Sequence, residues 1–169
     1  MMNVELRTAF NCWYNQSSPR FAFTGTSKQC LHPVGAQHPK QWVTSTDLAK
    51  NVHFFVERVS RDLLGRSAVR KGHKVGYYGV IEGGERPVRH GGQRFHVHLH
   101  FVDVPKHVSL NQFRASAVKR WITSKWGYHD CHIDEFCSLE EGPKWTNYML
   151  KSITNDSTDR LITNKPFQK

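Results

Sequence analysis

The sequence predicts an α+β fold, an antiparallel sheet with flanking helices of the ferredoxin-like or RRM-like kind. Hydrophobic period switches between two and 3.6 along the chain, in the order strand, helix, strand, strand, helix, strand, with one more helix after them. The first six elements follow the split β-α-β pattern, which leaves one sheet face free to carry a site. With 169 residues, 38% hydrophobic and 12% aromatic, the chain suits one domain with its own core.

Each element has its own signal. Residues 1–18 carry the polar run Asn15-Gln16-Ser17-Ser18 and are expected as an N-terminal arm. Phe21 and Phe23, alternating with small residues, predict a strand over 20–26. A loop is expected through Pro33, Gly35 and Pro39. Leu48, Val52, Phe55, Val56, Val59 and Leu63 share one helical face, with Ser45 or Thr46 as cap and Gly65 as stop. A basic turn from Arg66 to Lys74 leads to a strand from Val75 to Glu82, which Gly83-Gly84 break. After Gly91-Gly92 a third strand runs from Phe95 to Val102. Ser109 and Gln112 form a capping box for a helix that buries Leu110, Phe113, Ala117 and Trp121 and exposes Arg114, Lys119 and Arg120. His132 to Phe136 reads as a fourth strand, and Gly142-Pro143 opens the last helix. The globular domain is expected over 19–160, with 161–169 as a tail.

Charge narrows the partner. Lys plus Arg number 24 against 14 Asp plus Glu, a formal net charge of +10. Such a surplus favours a polyanion, because neutralised phosphates release counterions. No apolar run approaches the ~20 residues of a membrane span, and Met1 to Glu5 lack a secretory pattern. A cytosolic or nuclear protein is the expectation. The four cysteines contain no Cys-x-x-Cys pair, which favours free thiols.

Two motifs carry the chemistry. In Phe95-His96-Val97-His98-Leu99-His100-Phe101-Val102, alternation puts three imidazoles on one sheet face and the apolar residues on the other. Neutral imidazole is the commonest transition-metal ligand. Glu82, at the end of the preceding strand, supplies a carboxylate, with Glu85 in reserve. His96, His98 and Glu82 are the expected metal ligands, with His100 as an additional one. Mixed imidazole and carboxylate donors suit Mn²⁺ or Mg²⁺ acting on a phosphate oxygen. The second motif is Lys144-Trp145-Thr146-Asn147-Tyr148-Met149-Leu150-Lys151, where helical spacing brings Lys144 and Lys151 to the side of Tyr148. A phenol has an ordinary pKa near ~10, and adjacent ammonium groups favour the phenolate nucleophile.

Together His96-Val97-His98, Tyr148-Met149-Leu150-Lys151 and Glu82 resemble the HUH endonuclease superfamily, specifically the single-tyrosine replication initiators. Phe95 to Pro105 and the helix after it are similar to parvovirus-type nuclease domains, and Phe21-Ala22-Phe23-Thr24 to the initiators' first-strand motif. The resemblance covers about residues 20–155. It implies an HUH fold and a nickase that begins rolling-circle replication. Tyr148 would form a 5′-phosphotyrosine link and release a 3′-OH, and Lys151 would position phosphate. The implied partners are single-stranded DNA, an origin hairpin, and a host helicase and polymerase, in a prokaryotic cytoplasm or a eukaryotic host nucleus. DNA contacts are expected from Lys144, Arg94, Arg89, Arg70 and Lys71, with Arg66 and Arg86 as further basic groups.

Three departures stand out. His100 allows the pair to be His98 and His100; the last helix carries one tyrosine; and no Gly-x-x-x-x-Gly-Lys-Ser/Thr announces a helicase domain. A relaxase or single-strand transposase of the same superfamily shares the chemistry. His-Val-His-Leu-His also satisfies the histidine-triad pattern of nucleotide hydrolases, although 69 residues follow it here. A non-enzymatic binder would use Tyr77, Tyr78 and Phe95 as stacking faces. A zinc site from His129, Cys131, His132 and Cys137 has irregular spacing.

Overall fold

A computed structural model describes Thr8, Cys12 and residues 19–31, 40–84, 93–136, 141–151 and 160–164. Arg86, Arg89, Glu85, Cys137, Gly91-Gly92, most of the expected arm and the end of the expected tail lie outside the described residues. The strands are β1 Phe21–Ser27, β2 Cys30–Leu31, β3 Gln41–Trp42, β4 Gly76–Glu82, β5 His96–Val102, β6 Gly127–Glu135 and β7 Leu161–Thr163. The helices are α1 Ser45–Leu64, α2 Arg66–Arg70, α3 Leu110–Ile122 and α4 Glu141–Leu150.

Five strands form one antiparallel sheet in the order β6-β1-β5-β4-β7. β5 lies between β1 and β4, the two strands that α1 joins; β1 lies between β5 and β6, the two that α3 joins. Both crossovers are therefore split by an inserted strand. β2 and β3 form a two-stranded ribbon at the ends of the expected loop.

Capping fixes the helix starts. Thr44, not Ser45 or Thr46, caps α1: its hydroxyl accepts from the Asp47 amide at 3.1 Å, and its own amide donates to the Asp47 carboxylate at 3.3 Å. An acidic residue three positions on closes the box, and only Thr44 has one there. Ser109 and Gln112 form the expected box on α3.

The core lies between the sheet and α1 with α3. Phe23, Phe55 and Trp121 meet with ring centroids 5.0 to 5.4 Å apart. Val97, Leu99 and Phe101 of β5 are fully buried in the same cluster. Leu110, expected inside, only borders it. Asn51 ties α1 to the turn before β6, donating to Ser124 Oγ at 3.0 Å and accepting from the Trp126 amide at 3.1 Å. α4 lies on the sheet's other face, over the histidines.

Three boundaries differ from expectation. The basic turn begins as the five-residue helix α2. β6 starts at Gly127, five residues before His132, because an edge strand can hold polar residues such as His129 and Asp130 without losing its ladder. The chain past 160 is not all tail: β7 pairs with Tyr78 to Val80 of β4. Asn164 fastens its end, its side chain accepting from the Tyr77 amide and donating to the Val75 carbonyl. Three residues are too short for a period to show in sequence. No helix among the described residues is long and apolar enough to cross a membrane.

Replacing Phe55 by Ala should lower the free energy of unfolding by about 3–5 kcal/mol, by urea titration. Phe54, its neighbour in sequence but 52% exposed, should change it by about 0.5 kcal/mol or less on the same substitution.

Candidate active-site cleft

Strand alternation builds the site. With Val97, Leu99 and Phe101 held in the core, His96, His98 and His100 point to the opposite face. Their burial deepens along the strand: His96 is partly exposed, His98 is 6% exposed and His100 1%. Glu82 pairs in register with His96, and its carboxylate reaches diagonally to His98, Oε2 to Nε2 3.1 Å. Thr24 is the register partner of His98 from β1, with its hydroxyl 3.0 Å from Nδ1. Both ring nitrogens of His98 are thus engaged. The His96 ring stacks beside His98, centroids 6.5 Å apart and planes within 13°.

Burial pushes the His98 pKa below its ordinary value; Glu82 opposes this, while His96 and Lys151 add to it. A neutral imidazole carries one N–H. A hydroxyl can donate or accept, so Thr24 accommodates either His98 tautomer. At 3.1 Å Nε2–H donates to the Glu82 carboxylate and the Thr24 hydroxyl donates to Nδ1; moving that proton to Nδ1, with Thr24 then accepting, frees the Nε2 lone pair beside the carboxylate for a divalent cation. His98 and Glu82 therefore offer two donors that fit such an ion, and His96 lines the same cleft. Among the described residues, no three His, Cys, Asp or Glu side chains converge as a ready-made metal set.

α4 brings the phenol to the same place. The Tyr148 ring stands edge-on to His98, centroids 5.7 Å apart, and is 45% exposed. Lys151, one turn on, holds Nζ 3.7 Å from the centre of the Tyr148 ring and 3.8 Å from Glu82 Oε1. Glu82 thus has one oxygen toward His98 and the other toward Lys151. The buried Met149 anchors the helix end. An open cleft of about 670 Å³ takes in Glu82, His96, His98, Tyr148 and Lys151, with Thr24, Thr26, Gln93, Arg94, Tyr128 and Asp130 forming the rest of its wall.

The other sequence-predicted groups divide. Arg94 lines this cleft, its guanidinium 4.8 Å from the Tyr128 ring centre. Lys144 lines a second hollow across Tyr148. Arg70 and Lys71, expected on DNA, are not at the site, nor is Arg66. They precede the start of β4, and Glu82 ends it, six residue steps or about 20 Å away. Proximity in a basic run carries no information about which sheet end it reaches. Arg89 lies outside the described residues.

His100 lines neither hollow. It is sealed beneath Tyr78, Phe136 and Trp145, with Tyr78 Oη 3.3 Å from Nδ1. The pair His98 and His100 is therefore not presented to the cleft, which also removes the triad pattern's third imidazole from contact with a substrate. Tyr77, Tyr78 and Phe95 are buried, so they offer no stacking platform. Cys131 packs against the core while the adjacent His132 lines the second hollow, so these two zinc candidates face opposite sides.

Sequence reasoning passed over Thr24 as a His98 partner, and also Trp145, Thr26 and Asp130. Thr26 donates to Asp130 Oδ2 at 3.1 Å inside the cleft. Only strand register, β1 against β5 and β6, reveals these partners. Compared with protein-family models, curated proteins and solved structures, the chain matches none.

Burial, reinforced by His98, pushes the His100 pKa down to about 3 from 6.5. The unfolded chain takes up a proton that folded His100 refuses, so its contribution is complete above pH 6.5 and is lost as pH falls toward 3. Stability should decline there by about 1.4 kcal/mol per pH unit from this residue. His53 and His98 are shifted the same way, so the check is the difference in slope between wild type and His100→Gln in urea titrations from pH 7 to 4.

Proposed function

We propose that this chain is a site-specific endonuclease that nicks single-stranded DNA through Tyr148, an HUH-type initiator of rolling-circle replication. One observation carries the reading: Tyr148, Lys151, Glu82, His98 and His96 line a single open cleft. A net charge of +10 supports a polyanionic substrate.

The chemistry follows from those positions. Tyr148 Oη forms a bond to phosphorus, and the bond from phosphorus to O3′ breaks. The phenol proton leaves to solvent and O3′ takes up a proton, giving a 3′-OH and a 5′-phosphotyrosine. One phosphodiester replaces another, so attack by the 3′-OH rejoins the strand. The Lys151 ammonium above the Tyr148 ring sits where it can meet phosphate oxygens. Thr24 orients His98, and Arg94 provides a second cationic wall. His98, Glu82 and His96 would hold Mn²⁺ or Mg²⁺. Bound there, the ion supplies Lewis-acid polarisation of a non-bridging oxygen. Strand separation by a host helicase and extension of the 3′-OH by its polymerase would complete the replication step.

The test is a random-sequence pool of single-stranded oligonucleotides with Mn²⁺. An adduct stable to detergent should form and map to Tyr148 by mass spectrometry. Tyr148→Phe or EDTA should abolish it, and Lys151→Met should slow it about 100-fold. Cleavage that survives Tyr148→Phe, or no cleavage with any divalent ion, sinks the reading.

A further inference from the structure

Tyr148 separates two hollows. Beyond it from the carboxylate cleft lies a second, of about 370 Å³, lined by Thr24, His98, His132, Lys144, Trp145 and Tyr148. We propose that this hollow takes one unpaired nucleobase, that of the nucleotide adjoining the phosphate at Tyr148. The proposal rests on the reading above and adds to it a base-binding subsite.

Three observations choose this occupant. The first is shape. Trp145 and Tyr148 stand 5.9 Å apart between centroids with planes at 77°, so they form a corner with one flat face and one edge. A planar heterocycle can stack on one ring and meet the edge of the other. Trp145 is held in place because its ring also meets the buried His100.

The second is charge. Among the described residues, the lining of this hollow includes one fixed cation, Lys144, and no carboxylate, whereas that of the neighbouring cleft has Glu82 and Asp130. Its other polar side chains are already paired: Thr24 Oγ1 with His98 Nδ1, and the exposed His132 Nε2 with Asp134 Oδ2 at 2.9 Å. An apolar, aromatic hollow with a lone ammonium at its edge suits a flat group carried on an anion. An aromatic side chain of a peptide would bring no phosphate for Lys144.

The third is continuity. Thr24, His98 and Tyr148 line both hollows, so a phosphate beside Tyr148 lies next to the Trp145 corner. One nucleotide unit can then place its phosphate in the polar cleft and its base in the apolar hollow. Base–aromatic stacking tolerates any base. The subsite therefore holds the strand open more than it reads sequence.

The test uses Tyr148→Phe protein without divalent metal, so no strand is cut. Two fluorescent probes are compared by anisotropy at one salt concentration: an oligothymidylate of about 12 nucleotides and an abasic chain with the same number of phosphates. Trp145→Ala should weaken binding of the oligothymidylate about 10-fold and leave the abasic chain within about twofold. Trp145→Phe, which keeps a flat ring, should restore most of the loss. Lys144→Met should weaken both probes alike. An oligothymidylate carrying 5-iodouracil should photo-crosslink to the 141–151 segment. Equal weakening of both probes by Trp145→Ala, no weakening of either, no binding at all, or crosslinks only elsewhere would overturn the proposal. Adduct formation plays no part in these readouts, so failure of the nuclease reading and failure of the base subsite are separable.

Discussion

β5 is hydrogen-bonded along both edges, to β1 on one side and β4 on the other. Its three apolar residues are fully buried against α1 and α3. Side chains alternate with a period of two, so a slip of one residue would drive three imidazoles into the core and three hydrocarbons into the cleft. Neither ladder nor core tolerates that. The position of each histidine is therefore fixed by the packing of the residues between them. The same register sets Thr24 opposite His98 and Glu82 opposite His96, one diagonal step from His98, since those residues sit on the strands that hold β5 in place.

Along this one strand, identical side chains occupy three environments. His96 lies near the turn, where Gly83 and Gly84 have positive φ and leave β4 and β5 close together. A Cβ at Gly84 would fall 2.1 Å from the Phe95 ring, so only glycine lets the chain fold back tightly beyond Glu82. His100, four residues on, lies under Trp145 and Phe136 and stays neutral to about pH 3. His98 stands at the boundary, nearly buried yet in contact with both hollows. It is the one imidazole with low-dielectric surroundings, two fixed partners and an open approach.

The sequence alone was legible where a period or a cap leaves a signature. The alternation of β5, the apolar face of α1 and the Ser109 box all stand as read, and Tyr148 does line one cleft with His98 and Glu82. What escaped depends on pairing between distant segments. Thr24 lies 74 positions from His98, and nothing local marks it as a partner. β7 has too few residues for a period, and β6 hides its first half behind edge-strand polarity. Arg70 and Lys71 show the converse: a basic cluster is visible in sequence, but the end of the sheet it occupies is not. The choice between His96 and His100 was open in the motif. Burial separates the two, since His96 lines the cleft and His100 lies beneath α4 and Phe136.

The Lys151 ammonium lies 3.8 Å from one oxygen of Glu82, whose other oxygen faces His98. A partly buried carboxylate loses some of its hydration, and here a tethered counter-ion offsets part of that cost. A divalent ion entering between His98 and Glu82 would compete with the ammonium for the same carboxylate, so loading becomes an ion exchange within one side-chain cluster. The lysine would then be released as the carboxylate's charge was taken over. Metal occupancy and the freedom of that cation to meet a substrate thus become two ends of one lever.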